Sequence, residues 1–403
     1  MCDLLSKWRR NMMHRNRKYK ILFLLVCGLV SISACPKVDV HKVKEDLLTQ
    51  AEREIELTGT QEDTEEEKVS CISEGKLAHD VLTEEQKQIY DEVLYAILNQ
   101  KESVMLSHID ERDLDIAYHA VNADYGGLFW VSGYAYSQYK MGDIIMGLEY
   151  TPQYTMSLEE RETMQAQIDQ KAEEMLRGIS IADSDYAKAK YVYELLAKEV
   201  EYDTEAENNQ NILSVFLEGR TVCQGYACAT QYLLNQLGVP CVIVTGSTDE
   251  TPHAWNMAVL DGAPYYMDTT WGNAKYLNGN AEFDGIINYD YLNIMTAELT
   301  KTHRIETDFP LPECDSNLDN YYVKEGLYYT DWYPDEIGAL YRNAWESGTS
   351  VVSLKFADTA LYVEAKDYFI NNQGLGEYCD GLKSYYYLEN PEQNILTIHF
   401  GER

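Results

Sequence analysis

Three short segments contain the residues whose types could do covalent chemistry. They are the strings TVCQGYA, HAWN and DTTW, which supply Cys223, His253 and Asp268 in that order along the chain. A cysteine, a histidine and a carboxylate are the components of a thiol nucleophile, its base and the group that orients the base. The sequence therefore predicts a cysteine-dependent acyl-transfer site, provided that local structure brings the three side chains together.

The cysteine is predicted to lie at the start of a helix. Thr221 and Gln224, three residues apart, fit a capping box, and apolar residues then repeat at helical spacing to about Leu237. Cys223 would lie in the first turn, where free N–H groups and the positive end of the helix dipole favour a thiolate and could stabilise an oxyanion. Gly225 is predicted to let a substrate backbone approach.

A structural role is the alternative for each residue taken alone. An isolated cysteine is more often a buried core residue, and Cys228 of the same helix is interpreted in that way. His253 alone could be a hydrogen-bonded strand histidine, and Asp268 alone a cap at a strand end. The functional interpretation depends on the three residues meeting.

A hairpin is predicted to carry the histidine and the aspartate. Residues 239–246 read as a buried strand, residues 247–252 as a polar loop, and residues 253–260 as an alternating strand. The dipeptide at 261–262 is Asp-Gly, a strong two-residue turn, and residues 263–271 return as the partner strand.

The turn predicts the register of this hairpin. If Leu260 faces Ala263, then Trp255 faces Asp268 and His253 faces Thr270. His253 and Asp268 would be diagonal neighbours on one face, about 7–8 Å apart at the backbone, so their side chains could form a hydrogen bond. A slip of one residue would separate them onto opposite faces.

Together these segments resemble the core of the transglutaminase-like superfamily, a papain-related group of Cys–His–Asp enzymes. The strings C-x-G-Y-A, L-G-V-P-C, H-A-W-N, D-G and D-T-T-W cover roughly residues 185–275. The resemblance implies a nucleophile at Cys223, a base at His253 and an orienting carboxylate at Asp268. It implies an α+β fold in which the cysteine begins a helix packed on an antiparallel sheet that bears the histidine and the aspartate, flanked by smaller α/β regions.

The first 35 residues are predicted to be a lipoprotein-type signal peptide. Residues 1–20 hold seven Lys or Arg against one Asp, and residues 21–34 form an apolar run too short to span a membrane. The string Ile-Ser-Ala-Cys at 32–35 resembles a bacterial lipobox, which implies lipidation at Cys35 and a location on the extracytoplasmic face of the cell membrane. An uncleaved N-terminal anchor is the alternative.

Composition divides the rest of the chain into four regions. Residues 36–78 are predicted to be an acidic disordered tether, 79–178 an N-terminal α/β region, 179–312 the catalytic domain, and 313–403 a tyrosine-rich α/β region. The whole chain has 33 basic and 67 acidic residues, a net charge of −34. Nucleic acid is a poor partner for such a surface.

The combined prediction is an exported, membrane-anchored cysteine enzyme that acts on amide bonds of peptides or proteins at the cell surface or wall. A peptidase or amidase is favoured, because water needs no dedicated second-substrate site. A protein-glutamine transglutaminase that cross-links surface proteins and a non-catalytic binding module are the alternatives. The chemistry requires no cofactor, and no Cys-x-x-Cys or Cys/His cluster in the sequence suggests a metal site.

Overall fold

The computed structural model describes residue 73 and residues 75–273 and 286–402. The predicted leader at residues 1–35, its lipidation site Cys35 and nearly all of the predicted tether at residues 36–78 lie outside this part of the chain. Within the described ranges, no helix combines the length and the apolar character that crossing a membrane requires.

Residues 77–178 form a helical layer against a small sheet. The helices are α1 Leu77–Asp80, α2 Glu84–Leu98, α3 Glu111–Asp124 and α4 Leu158–Met175. The strands are β1 Val104–Met105, β2 Val131–Met141 and β3 Ile144–Tyr154, in the antiparallel order β1-β3-β2. The capping box of Thr83 and Gln86 begins α2, so this boundary follows directly from the sequence.

Asp124, at the end of α3, joins the three N-terminal helices. Its carboxylate accepts hydrogen bonds from the backbone N–H groups of Ala78 and His79 at the start of α1, each at 3.0 Å. It also accepts one from the hydroxyl of Tyr90 in α2, again at 3.0 Å. Asp124 is only 1% exposed, so these bonds replace the hydration that it loses.

The central part of the chain builds a helix on an antiparallel sheet. Its elements are α5 Asp185–Glu199, β4 Glu201–Tyr202, β5 Arg220–Thr221, α6 Cys223–Gln236, β6 Cys241–Thr248, β7 Thr251–Leu260, β8 Ala263–Met267, α7 Thr269–Gly272, α8 Thr296–Leu299 and β9 Arg304–Ile305. The sheet has the order β8-β7-β6-β9 with every pair antiparallel. The fold is therefore mixed α+β with an antiparallel sheet, as predicted.

One hydrophobic core unites these two regions, because a single cluster of buried residues extends from Ala78 to Cys314. At their junction the side chain of Gln231 in α6 donates to the carbonyl oxygen of Asp124 and accepts from the N–H of Gly126 at 2.9 Å. A Cβ on Gly126 would lie 2.6 Å from the carbonyl oxygen of Cys228, so the loop after α3 packs directly on the backbone of α6.

Residues 321–400 form a further α/β layer with its own core. Its elements are α9 Tyr321–Lys324, β10 Tyr328–Tyr329, α10 Pro334–Ser347, β11 Val351–Phe356, α11 Thr359–Lys366, α12 Leu375–Tyr378, β12 Tyr385–Asn390 and β13 Ile395–Phe400. The sheet order is β10-β11-β13-β12, with β10 and β11 parallel. A buried ion pair between Lys355 and Glu298, 2.5 Å apart, links this layer to α8.

Candidate active site

Cys223 is the first residue of α6. The N-cap residue is Val222, and no side chain caps this helix. The predicted capping box is wrong, because β5 pairs with β4 and holds Thr221 in the core, where its hydroxyl donates to the carbonyl oxygen of Asn209 at 2.9 Å. The first N–H groups of α6 therefore lack a side-chain acceptor beside the sulfur of Cys223, which favours an anion there.

Gly225, in the same turn, is required by packing within the chain. A Cβ at this position would lie 1.9 Å from Oγ1 of Thr221 and 3.1 Å from the carbonyl oxygen of Asn209. The prediction that Gly225 admits a substrate backbone is wrong for the side on which a Cβ would project, since the segment before the helix fills that space.

His253 lies in β7, where it pairs with Gly246 of β6. The two strands continue to a two-residue turn at Asp249 and Glu250, whose φ angles are 45° and 62°. The predicted polar loop at residues 247–252 is therefore wrong. Positive φ at both turn residues matches the twist of the flanking strands, and this allows a tight hairpin where the composition suggested a loop.

The hairpin of β7 and β8 has the predicted register, with Leu260 opposite Ala263. Its two turn residues also adopt positive φ. The predicted return strand is too long, however, because β8 ends at Met267 and does not continue to Trp271. The strand pairings predicted for residues 268 and 270 therefore do not form.

Asp268 nevertheless meets His253. At the end of β8 the chain turns into α7, and Asp268 becomes the N-cap, with its Oδ1 accepting from the N–H of Trp271 at 3.2 Å. Its Oδ2 lies 2.8 Å from Nε2 of His253. The hydrogen bond that the hairpin suggests is thus made from a helix cap. Because Nε2 faces the carboxylate, Nδ1 is the nitrogen left for Cys223.

A second histidine, His303, contacts the same carboxylate and was not foreseen from the sequence. Its Nε2 lies 3.2 Å from Oδ2 of Asp268, and its Nδ1 lies 2.8 Å from Oγ1 of Thr302. His303 immediately precedes β9, which pairs with β6 at Gly246 and Ser247. No local pattern marks it, because its place depends on a short strand that joins the sheet long after the hairpin.

Aromatic rings enclose the two histidines. The ring of His303 lies 4.9 Å from that of Trp255 and 4.6 Å from that of Trp271, between ring centroids. The ring of Tyr291 packs edge-on against Trp271 at 4.6 Å. His253 is 7% exposed and Asp268 is fully buried, so their interaction occurs in a water-poor environment where charges act more strongly.

The charges of these groups reinforce one another. Burial lowers the pKa of His253, but the Asp268 carboxylate and the hydrogen bond with Cys223 outweigh this effect and raise it to about 10. Burial likewise opposes ionisation of Asp268, yet His253 and His303 hold the pKa of its carboxyl well below the usual range. The two shifts therefore favour the imidazolium form of His253 and the carboxylate form of Asp268.

By residue type, His253, Asp268 and His303 could also hold a metal ion, since their ligand atoms lie within 4.8 Å of one another. Tetrahedral zinc ligands at about 2.0–2.1 Å from the metal would be roughly 3.3 Å apart. The 2.8 Å separation of His253 and Asp268 is shorter and fits a direct hydrogen bond. We therefore interpret the cluster as a hydrogen-bonded network.

Cys228, further along α6, differs from Cys223 in its surroundings. Burial raises the pKa of the Cys228 thiol to about 12, against the effect of a hydrogen bond from Nε2 of Gln224 at 3.4 Å. It is a neutral core residue, as predicted. The amide of Gln224 is directed at this sulfur atom.

A cleft of about 330 Å³ opens beside the start of α6. Its lining comes from the start of α6, from β6, from α3 and from the segment after β9: Gln224, Ile243, Thr245, His119, Asn122, Ala123 and residues 306–309. The cleft therefore lies between the central sheet and the N-terminal region. Its lining residue Gln224 directly follows Cys223 in the chain.

Comparisons with known proteins show a family similarity over part of the chain. The transglutaminase-like superfamily matches residues 173–271. Kyphoscoliosis peptidase of Mus musculus is 25% identical over 139 residues, which is 30% of this chain and 21% of that protein. The Homo sapiens protein is 23% identical over 139 residues, which is again 30% of this chain and 21% of that protein. The chain thus spans about a fifth of the length of the curated relatives it matches.

A crystal structure of a TGase is also similar, with a TM-score of 0.26 and 18% identity over 37% of this chain and 46% of that chain. The family match at residues 173–271 includes Cys223, His253 and Asp268. This part of the chain therefore matches the transglutaminase-like core.

Proposed function

We propose that this protein is a cysteine-dependent enzyme that acts on amide bonds of peptides or proteins, with hydrolysis as the favoured outcome. The observation that carries the proposal is the buried hydrogen bond of 2.8 Å between His253 and Asp268, next to a cysteine at an uncapped helix start. The transglutaminase-like family match supports the same class of chemistry.

In the proposed first step, the Cys223 thiolate attacks the carbonyl carbon of an amide and forms a C–S bond. The carbonyl oxygen becomes an oxyanion, which the free N–H groups at the start of α6 stabilise. His253, protonated at neutral pH, donates the proton on Nδ1 to the leaving nitrogen as the C–N bond breaks. An amine departs and an acyl-thioester remains on Cys223.

In the proposed second step, a nucleophile attacks the thioester carbonyl. Neutral His253 accepts its proton, the C–S bond breaks and the thiolate is restored. Water as the nucleophile gives a carboxylic acid, and a primary amine gives a new amide. Asp268 holds the imidazole in one orientation throughout and stabilises its positive charge.

The proposed location follows from the leader sequence. The basic segment, apolar run and lipobox-like string support export and lipid attachment at Cys35. The substrate would then be a peptide or protein of the cell surface or wall.

The first test is the rate at which iodoacetamide alkylates Cys223 in the full-length chain, measured by mass spectrometry from pH 5 to pH 9. In the wild type we expect a rate that stays high at pH 6. In His253→Ala we expect a rate at pH 6 that is lower by roughly a hundredfold, because an ordinary thiol with a pKa of about 8.5 is almost fully protonated there.

The fate of the acyl group is tested with a glutamine-containing protein and a labelled primary amine, with Cys223→Ala as the control. Cleavage or deamidation without label supports hydrolysis, and labelled protein supports a transglutaminase. If His253→Ala leaves the alkylation profile unchanged, the proposal is wrong and a binding module is the better interpretation.

A further inference from the structure

The Asp268 carboxylate makes three hydrogen bonds, whereas a Cys–His–Asp triad requires only the one with the catalytic histidine. Its Oδ2 contacts Nε2 of His253 at 2.8 Å and Nε2 of His303 at 3.2 Å. Its Oδ1 accepts from the N–H of Trp271 at 3.2 Å. A carboxylate bound to three donors cannot rotate, so the direction of the His253 ring depends on all three.

The His303 ring is itself fixed at both nitrogens. Oγ1 of Thr302 meets Nδ1 at 2.8 Å, and the carboxylate of Asp268 meets Nε2. Because a carboxylate oxygen can only accept, Nε2 of His303 carries a proton and donates to Asp268. The His303 side chain is fully buried, so water does not compete for either bond.

The sheet determines where His303 lies. β9 follows it directly and pairs with Gly246 and Ser247 of β6. A Cβ at Gly246 would lie 1.9 Å from the carbonyl oxygen of Arg304 and 2.8 Å from the ring of Trp255. Only glycine at this position allows β9 to approach closely enough to bring His303 to the carboxylate, opposite the position of His253 in the same sheet.

We propose that His303 is a positioning residue for the acyl-transfer reaction: by donating from Nε2 to Asp268 it fixes the carboxylate, so that His253 presents Nδ1 to Cys223. The inference rests on the proposed function. A purely structural role is the competing interpretation, in which His303 only satisfies a buried acid and any residue that preserves folding would serve.

Two amide variants separate these interpretations. In His303→Gln the side-chain amide nitrogen takes the place of Nε2, so the donor to Asp268 is kept. In His303→Asn the amide reaches only the place of Nδ1, so that donor is lost while a polar group of similar character remains. The gentler variant Thr302→Val removes the hydroxyl that contacts Nδ1 of His303, together with its hydrogen bond to the carbonyl oxygen of Leu299.

The experiment measures Cys223 alkylation at pH 6 in the full-length chain, with thermal unfolding of each variant as the folding check. We expect His303→Asn to lower the rate about tenfold or more, since a small misplacement of a catalytic group has effects up to about a hundredfold. We expect His303→Gln to stay within about threefold of the wild type and Thr302→Val to fall between them. His79→Gln is the control, because this histidine of the N-terminal region also contacts carboxylates, those of Asp80 and Asp91, and it should leave the rate unchanged.

The outcomes are distinguishable. If His253→Ala lowers the rate but His303→Asn does not, the positioning role is wrong and the proposed function stands. Equal losses in His303→Asn and His303→Gln that follow their unfolding temperatures would favour the structural role and overturn the inference. If His303→Asn does not fold, Thr302→Val decides, since a wild-type rate in that variant contradicts the positioning role. A wild-type rate that does not depend on His253 overturns the proposed function and the inference with it.

Discussion

Asp124 in the N-terminal region and Asp268 in the central sheet are almost equally buried, with exposures of 1% and 0%, but the pKa values of their carboxyl groups shift in opposite directions. Burial raises the pKa of Asp124 to about 6, although two backbone N–H groups, the Tyr90 hydroxyl and the charge of Lys76 oppose the shift. Burial acts on Asp268 in the same direction, yet its pKa lies well below the usual range. The difference is the partner, since Asp268 faces two imidazoles and Asp124 mainly neutral donors.

The comparison indicates that neutral hydrogen-bond donors alone do not hold the pKa of a buried carboxyl at its ordinary value. Neutral donors at Asp124 reduce the effect of burial without cancelling it, whereas the positive charge of His253 reverses it at Asp268. A buried aspartate whose pKa is lowered is therefore a better indicator of chemistry than burial or the number of hydrogen bonds.

The largest expected effect comes from removing the charge of Asp268 without changing its shape. Asp268→Asn should lower kcat/KM on a substrate identified by the amide-bond assays by about 10⁴-fold, because the amide favours the wrong tautomer of His253. The same substitution at the equally buried Asp124 is the matched control, and its kcat/KM should remain near that of the wild type. Similar losses in both variants would mean that general destabilisation, not the triad charge, causes the effect.

Sequence reasoning predicted much of this site because the signals were local. The Asp-Gly turn correctly determined the register of β7 and β8, and the apolar spacing correctly predicted a helix behind Cys223. The errors arose where tertiary contacts override local preference. Thr221 is recruited into a strand pairing and cannot cap the helix, and Asp268 leaves the strand to cap one.

The position of His303 could not be predicted from local sequence patterns. Its contact with Asp268 spans 35 positions and depends on β9, a strand of two residues. So short a segment has no periodicity that could predict its pairing. Gly246 is the one sequence feature related to this contact, because its lack of a side chain makes room for β9. A glycine in a strand indicates a close backbone approach but does not identify the segment that packs there.

The second prediction concerns the pH dependence of stability at Asp124. Because the pKa rises from 3.8 unfolded to about 6 folded, protonated Asp124 stabilises the fold below pH 4, and this contribution is lost as the pH rises through 6. The difference between these two pKa values corresponds to about 3 kcal/mol of unfolding free energy. Most of this difference falls between pH 4 and pH 7, where the wild type should lose about 2 kcal/mol of unfolding free energy relative to Asp124→Asn, as measured by urea unfolding.

Other titrating groups are shared by both proteins and cancel in this difference. A difference that stays constant from pH 4 to pH 7 would contradict the assignment of a raised pKa to Asp124. A difference of the opposite sign would mean that Asp124 resembles Asp268 and is stabilised as a carboxylate.

The smallest expected effect tests one neutral donor. Tyr90→Phe removes the hydroxyl that donates to Asp124 at 3.0 Å and should lower the free energy of unfolding at pH 7 by about 1 kcal/mol. The pH range over which Asp124 titrates should also move upward, because the carboxylate loses a donor. Cys223 alkylation should not change, and a change would mean that the two aspartates are coupled through α6.

The pairing of β9 with β6 has a consequence for any attempt to express the family-matched segment by itself. The family match ends at residue 271, before His303 and β9, and begins after most of the N-terminal region that packs on α6. A fragment trimmed to residues 173–271 would leave β6 as an unprotected edge strand, open to pairing with other chains. We expect such a fragment to aggregate on expression, because it lacks both β9 and the N-terminal helices that complete its core.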